Sequence, residues 1–365
     1  MTRGTLRVYL GAAPGVGKTY GMLSDGRRRA GRGEDVVIGF VEDHGRAPTR
    51  RMAEGLETVP RRSVRYRGVE LTEMDLDAVL ARRPEVALVD ELAHTNVPGC
   101  RHLKRWQDVE ELLNAGIDVV STVNIQHLES LNEVVRQITG VSQHETVPDE
   151  VVRRADQLEL VDMSAQALRR RIAYGDVYPA DRVEESLAHY FREGNLTALR
   201  ELALLWVADR VEEALRRYRD EQGIDTLWAT RERVVVALPG GPEGETLVRR
   251  AARIASRGAG GELMAVHVRR GDGLSEDGAS MERQRQLVER LGGRYEELTA
   301  DDAANAVLRF ARQENATQIV IGASRRGRTR SLLSGKGIGT SIVKASGEHI
   351  DVYVVTHEAA AHGRL

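Results

Sequence analysis

The chain has 365 residues, 41% of them apolar, enough to bury a core in each of the roughly two domains that this length suggests. Its 53 basic and 55 acidic side chains leave a net charge of -2, so nothing global draws it to nucleic acid or an acidic membrane surface. The single cysteine, Cys100, excludes an internal disulfide framework and suits a reducing compartment; no apolar run reaches the roughly 18 residues of a spanning helix, and Met1 to Arg7 lacks a secretory h-region, so a cytoplasmic protein is expected.

The first predicted element is the strand within LRVYLGAAPGVGKT, Leu6 to Thr19, where Leu6, Val8, Tyr9 and Leu10 run into a glycine-rich turn. A helix-compatible stretch, Tyr20 to Ala30, follows, which is the context a P-loop requires. In that pattern Ala13, Pro14, Gly15, Val16, Gly17 and Tyr20 line the cradle for the phosphates of ATP. Lys18 reaches the β- and γ-phosphates and the Thr19 hydroxyl sits on Mg²⁺, with the helix N-terminus adding its positive end. The opening glycine is replaced by Ala12, with Gly11 one residue earlier, so the register rests on Gly17, Lys18 and Thr19. The competing reading is a glycine-rich turn with a solvated lysine.

Strands then alternate with helix-like stretches, the pattern of a parallel sheet covered on both faces. Asp35 to Val41 is the second strand, ending in Glu42, Asp43 and His44. Ligands of such sheets bind beyond the carboxyl edge, so Glu42 and Asp43 either face a nucleotide or form a solvated turn. Pro84 to Glu91 is the third strand: Asp90 stands at its tip as a second Mg²⁺ ligand and Glu91 as the candidate catalytic base that polarises water. Against this stands Asp90 as a helix cap. Ala93 to Gly116 pairs a polar loop with a helix carrying Val109, Leu112 and Leu113. His94, His102, His127 and His144 fit no compact zinc-type spacing, and Cys100 reads as an ordinary loop thiol. Arg46, Arg101 and Arg105 lie in loops of the kind that supply an arginine finger. Asp118 to Val123 is the fourth strand, and Asn124 either senses a γ-phosphate or caps the helix bearing Leu128 and Leu131. Leu158 to Val161 reads as a fifth strand. Ser164 to Tyr218 is helix-like, with Leu199, Leu202, Leu205 and Trp206 as core positions.

A polar stretch, Arg219 to Glu232, leads to a second domain with strands at Arg233 to Leu238, Glu262 to Val268 and Gln318 to Ile321. The division expected is a nucleotide-binding domain over 1–225, a linker over 226–232, a smaller α/β sandwich over 233–358 and a tail over 359–365. Arg325, Arg326, Arg328, Arg330 and Lys336 form a cationic cluster that is either an anion site or a solvated face.

The segments GAAPGVGKTYGML, DVVIGFVEDHGR, VALVDELAHTNVPG, RWQDVEELLNAGIDV, TVNIQHLESLNEVV, ETVPDE and FREGNLTALRELAL resemble, nearly continuously from Leu6 to about Tyr218, the N-terminal sensor domain of the KdpD family. Those are the sensor histidine kinases of bacterial potassium-uptake systems. The resemblance implies an α/β P-loop domain that binds ATP and regulates kinase and phosphatase activity toward a KdpE-type response regulator, in an osmosensing system. Cys100 stands where the family leads one to expect serine and Leu103 where it leads one to expect proline. The second domain resembles a universal stress protein domain. Aligned on Gly322 and Gly335, it places Arg325 at an expected glycine and Lys336 at an expected Ser or Thr, against ATP binding there. Some such domains bind a cyclic dinucleotide, but Pro239, Gly240 and Gly241 replace the serine-containing turn associated with it. Ser334 to Ser346 looks like the ATP lid of a histidine kinase without the helix and acidic turn that precede one, so it is assigned to the stress-protein loop. Family members continue into inner-membrane helices, a dimerisation helix and a catalytic domain. None of these lies in the 365 residues, and the chain reads as a fragment or a short form from which kinase activity is not expected. Two readings stand: a regulatory ATP-binding module, or a P-loop ATPase or small-molecule kinase using Lys18, Thr19, Asp90 and Glu91.

Overall fold

The computed structural model describes residues 2–175, 177, 183–184, 187–224, 232–241, 243–257, 261–269, 278–324, 338–347 and 350–357. They form two units, Met1–Tyr218 and Arg219–Leu365.

The first unit runs β1 (Leu6–Gly11), α1 (Lys18–Ala30), β2 (Val36–Phe40), α2 (Ala47–Ala53), β3 (Glu57–Thr58), β4 (Arg62–Tyr66), β5 (Val69–Glu73), α3 (Leu76–Arg82) and β6 (Val86–Val89). It continues with α4 (Arg105–Asn114), β7 (Asp118–Asn124), α5 (Asn132–Thr139), α6 (Asp149–Arg153), β8 (Gln157–Val161), α7 (Ala165–Ala173) and α8 (Glu193–Gln222). Six strands pair in parallel in the order β3-β2-β6-β7-β1-β8. Strands β2 and β6 are buried at every residue, which is why both read as unbroken apolar runs. One face packs Val8, Leu10, Val37, Val89, Leu112 and Val119 into the main core, while Met22, Leu23, Ile38 and Leu88 fill the other.

Register fixes the site. In the β1·β7 ladder Gly11 pairs with Asn124, and in the β6·β7 ladder Val89 pairs with Ser121. The phosphate-loop candidate, Asn124 and the tip residues after β6 therefore emerge side by side at the carboxyl edge.

The short edge strand β3, the hairpin β4–β5 and one helix position of this unit depart from the sequence reading. The hairpin β4–β5 was not anticipated; its two-residue turn, Arg67 (φ 50°) and Gly68 (φ 83°), places both residues left-handed, as a primed hairpin turn demands. On α8, Leu199, Ala203 and Trp206 are buried and Leu202 packs beside them, but Leu205 is 51% exposed. At 100° per residue, position 205 lies about 120° from Leu199 around the helix, away from the core.

The second unit contains β9 (Arg233–Leu238), α9 (Gly244–Ala255), β10 (Glu262–Arg269), α10 (Gly278–Arg290), β11 (Arg294–Thr299), α11 (Ala303–Gln313), β12 (Gln318–Ser324), α12 (Ile338–Ala345) and β13 (Asp351–His357). Its five strands are parallel in the order β11-β10-β9-β12-β13, with apolar clusters on both faces. Helix α8 runs on to Gln222, so the start of the expected polar stretch is helical. Arg325, Arg326, Arg328, Arg330 and Lys336 lie outside the described residues. Among the described residues, no helix is long and apolar enough to cross a membrane.

Candidate functional site

The loop between β1 and α1 is shaped by two glycines, Gly15 at φ 89° and Gly17 at φ 109°, in the left-handed region that L side chains rarely adopt. A Cβ on Gly15 would also lie 2.8 Å from the Val177 methyls. Ala12, where the motif's first glycine is expected, is buried in the main core. Ala13 and Val16 pack with Ala165, Leu168 and Ile172 of α7, so an apolar cushion holds the loop from outside. The loop ends at Gly17, the N-cap of the 13-residue α1, where no side chain caps the helix and none of the first-turn residues is acidic. Open N–H groups and the dipole's positive end are thereby left for an anion. Tyr20, 45% exposed on α1, takes no part in the polar contacts below.

Lys18 is buried and donates to Asn124 Oδ1. Burial pulls its ammonium down to about 8; Asp90 acts against that shift and Arg46 adds to it. The Thr19 hydroxyl lies 3.0 Å from Asp90 Oδ2, and the Thr122 hydroxyl donates to Asp90 Oδ1. Burial raises Asp90, although these hydroxyls and Lys18 favour its charged form. Asn124 precedes a short 3-10 turn without capping it through its side chain; its oxygen is turned to Lys18 instead. Asp90 likewise caps no helix, since the next helix, α4, starts after Lys104.

Glu91 sits beside this group in a left-handed conformation, φ 58°, with its N–H donating to Thr122 Oγ1 at 3.2 Å. His44 Nε2 is 3.4 Å from one carboxylate oxygen and Arg105 3.9 Å from the other. Burial would raise Glu91, but the His44 hydrogen bond and the charges of Arg105 and His94 hold it below the ordinary range. Glu42 and Asp43 are each engaged elsewhere, with Arg61 at 3.1 Å and Arg50 at 3.0 Å, and only the Glu42 N–H reaches Asp90, at 3.4 Å.

A buried ionic network behind Asp90 was not foreseen. Arg105, fully buried at the start of α4, donates to Glu73 Oε2 at 2.8 Å and to the Asp90 carbonyl at 3.3 Å, and stacks 3.7 Å over the Phe40 ring. His94 bridges Glu73 at 3.0 Å and Glu145 at 3.2 Å. Burial opposes its charge, but the two carboxylates raise it to about 9, and Glu145, through its bond from His94, is held at about 2. Arg105 is thus a pinned structural cation rather than a loop arginine, and Arg101 is tied to Asp77 and Glu111. The only sequence signal for Glu73 is its place at the end of the unforeseen β5. Of the other histidines, His127 Nδ1 donates to the Glu145 carbonyl at 2.7 Å and His102 meets Asp108 at 2.8 Å.

The donor set suits a magnesium nucleotide. Thr19 and Asp90 present a hydroxyl and a carboxylate, oxygen donors of the kind Mg²⁺ takes when phosphates and water complete its shell. Lys18 and the open helix N-terminus face the same edge. Among the described residues no group of three or more His, Cys, Asp or Glu is arranged to hold a metal by itself.

Comparison with known proteins adds a second line. The family described as "Osmosensitive K+ channel His kinase sensor domain" matches residues 2–211, and the "Universal stress protein family" matches residues 230–346. The "Sensor protein KdpD" of Mycobacterium tuberculosis is 59% identical over 360 residues, 98% of this chain and 42% of that protein. The Escherichia coli protein of that name is 47% identical over 333 residues, 89% of this chain and 37% of that one. A Synechocystis sp. relative is 43% identical over 334 residues, 91% of this chain and 89% of its own length. The chain spans about two fifths of the Mycobacterium and Escherichia proteins.

Proposed function

The chain belongs to the KdpD sensor family of potassium-related two-component systems, and from that premise we propose that its first unit is a regulatory module that binds Mg-ATP. What supports the reading is the convergence of Lys18, Asn124, Thr19 and Asp90, from three adjacent strand ends, on the open N-terminus of α1. Lys18 and the loop N–H groups bind the phosphates, and Thr19 and Asp90 hold the Mg²⁺, which supplies charge neutralisation. Asn124 positions the Lys18 ammonium. Occupancy of this edge biases the loops carrying Glu91 and His44, and through them the kinase and phosphatase balance toward a KdpE-type response regulator.

A second reading, ATP hydrolysis, rests on Glu91, an ionised carboxylate one residue from Asp90. Phosphate release from saturating Mg-ATP, with Lys18→Ala as control, separates the two. Turnover abolished by the substitution makes the module hydrolytic, whereas Lys18-dependent binding without turnover makes occupancy itself the signal.

A further inference from the structure

Helix α7 covers the outer wall of the phosphate-loop candidate, and its apolar face is spent there: Ala165, Leu168 and Ile172 pack on Ala13 and Val16. Its three consecutive arginines have different fates. Arg169 donates to the carbonyls of Leu187 and Phe191. Arg170 is exposed. Arg171, half-buried, is turned to the loop: a Cβ built on Gly17 would lie 3.7 Å from one of its Nη atoms. Among the described residues Arg171 makes no hydrogen bond or ion pair, while the other arginines around the site are engaged, Arg105 by Glu73 and Arg46 by the Val177 carbonyl at 3.1 Å.

A guanidinium placed there without a carboxylate is not explained by folding. It adds positive charge to an edge that already carries Lys18, Arg46 and the N-terminus of α1, and like charges brought together repel. A polyanion on the loop offsets that repulsion, and a planar fork of N–H donors matches phosphate oxygens in two contacts at once.

We propose that Arg171 is a phosphate-binding residue of this site, closing over the di- or triphosphate of a nucleotide from α7 while Lys18 holds it from within the loop. The inference rests on the nucleotide-binding reading above. It also gives α7 a task beyond packing: the same helix that shapes the loop reports whether phosphate is present.

The test is calorimetric titration of the intact chain with Mg-ATP, Mg-ADP and adenosine, for the wild type, Arg171→Gln and Arg171→Lys, alongside unfolding midpoints without nucleotide. Arg171→Gln is expected to weaken ATP and ADP by about 10- to 100-fold, with adenosine unaffected, because a charge-assisted contact to phosphate is lost. Arg171→Lys should recover part of the loss, keeping the charge without the fork. The ligand-free unfolding midpoint should not fall in either variant, which a merely structural role would not allow. Equal nucleotide affinity in wild type and Arg171→Gln overturns the proposal and leaves the site reading intact. A wild-type chain that binds neither nucleotide overturns both.

Discussion

The Thr19 hydroxyl lies 3.0 Å from Asp90 Oδ2, so the first turn of α1 and the tip of β6 are joined at a single point although 71 residues separate them. Strand β7 stands between β1 and β6 in the sheet and supplies the two other members, Thr122 to Asp90 and Asn124 to Lys18. In the nucleotide-binding reading this is where phosphate and Mg²⁺ meet.

Asp90→Asn keeps the shape and removes the charge. It is expected to lower Mg-ATP affinity by about 10- to 100-fold while leaving metal-free binding nearly unchanged, because hydrogen bonds and contacts to a charged group contribute about 1.5–3 kcal/mol. Titrations with Mg²⁺ and with EDTA check it; an equal loss in both conditions would remove Asp90 from the metal site.

Nucleotide affinity should depend on pH through Lys18. Its ammonium titrates at about 8, lowered by burial, supported by Asp90 and Glu91 and opposed by Arg46. A bound phosphate favours the protonated form, so affinity is expected to be flat below about pH 7.5 and to fall by up to tenfold per pH unit above about 8. Lys18→Arg keeps its charge throughout and should flatten the profile between pH 7 and 9, whatever its absolute affinity. An unflattened profile would assign the dependence to another group.

The ionic network behind Asp90 should be visible in stability. Arg105 and Glu73 are both buried, so Arg105→Ala takes from that carboxylate one of its two cations, with His94 remaining at 3.0 Å, and is expected to cost up to about 3–5 kcal/mol in urea unfolding. Arg105→Met, which fills the space above Phe40, should cost less when combined with Glu73→Gln. Additive losses in the double variant would mean that the two residues do not act as a pair.

His94 adds a pH signature. Its folded value of about 9 lies above the ordinary 6.5, so its stabilisation is complete below pH 6.5 and is lost as pH rises through 9. Glu145, held at about 2 against an ordinary 4.5, contributes above pH 4.5 and loses that contribution as pH falls through 2. The stability difference between wild type and His94→Gln should therefore be largest between pH 4.5 and 6.5 and disappear by about pH 10. The Glu145 contact is expected to account for about 1 kcal/mol or less of that difference, because Glu145 is half exposed and solvent screens the pair, and the rest belongs to the contact with the buried Glu73.

The parallel strands were legible because burial on both faces writes itself as an unbroken apolar run, as in Val86 to Val89 and Val36 to Phe40. Lys18, Thr19, Asp90 and Asn124 could be named because each sits within a few residues of such a run, at the edge where chemistry collects. Glu73, Glu145 and Arg171 could not. Glu73 ends a mostly exposed hairpin, Glu145 belongs to an irregular loop, and Arg171 is one of three arginines whose fates differ only through the packing of α7. Leu205 failed for the complementary reason: a helix rich in leucine offers more apolar positions than one buried stripe can use, and only the angle around α8 separates Leu205 from Trp206.

The most direct measurement is an equilibrium titration of the purified chain with labelled ATP in the presence of Mg²⁺, beside Lys18→Ala of matched secondary structure and unfolding midpoint. Saturable one-to-one binding in the wild type, weakened at least about 100-fold in Lys18→Ala, is the expected result. Binding that survives Lys18→Ala unchanged, or none in the wild type at millimolar ATP, would contradict a nucleotide site at the carboxyl edge of β1, β6 and β7.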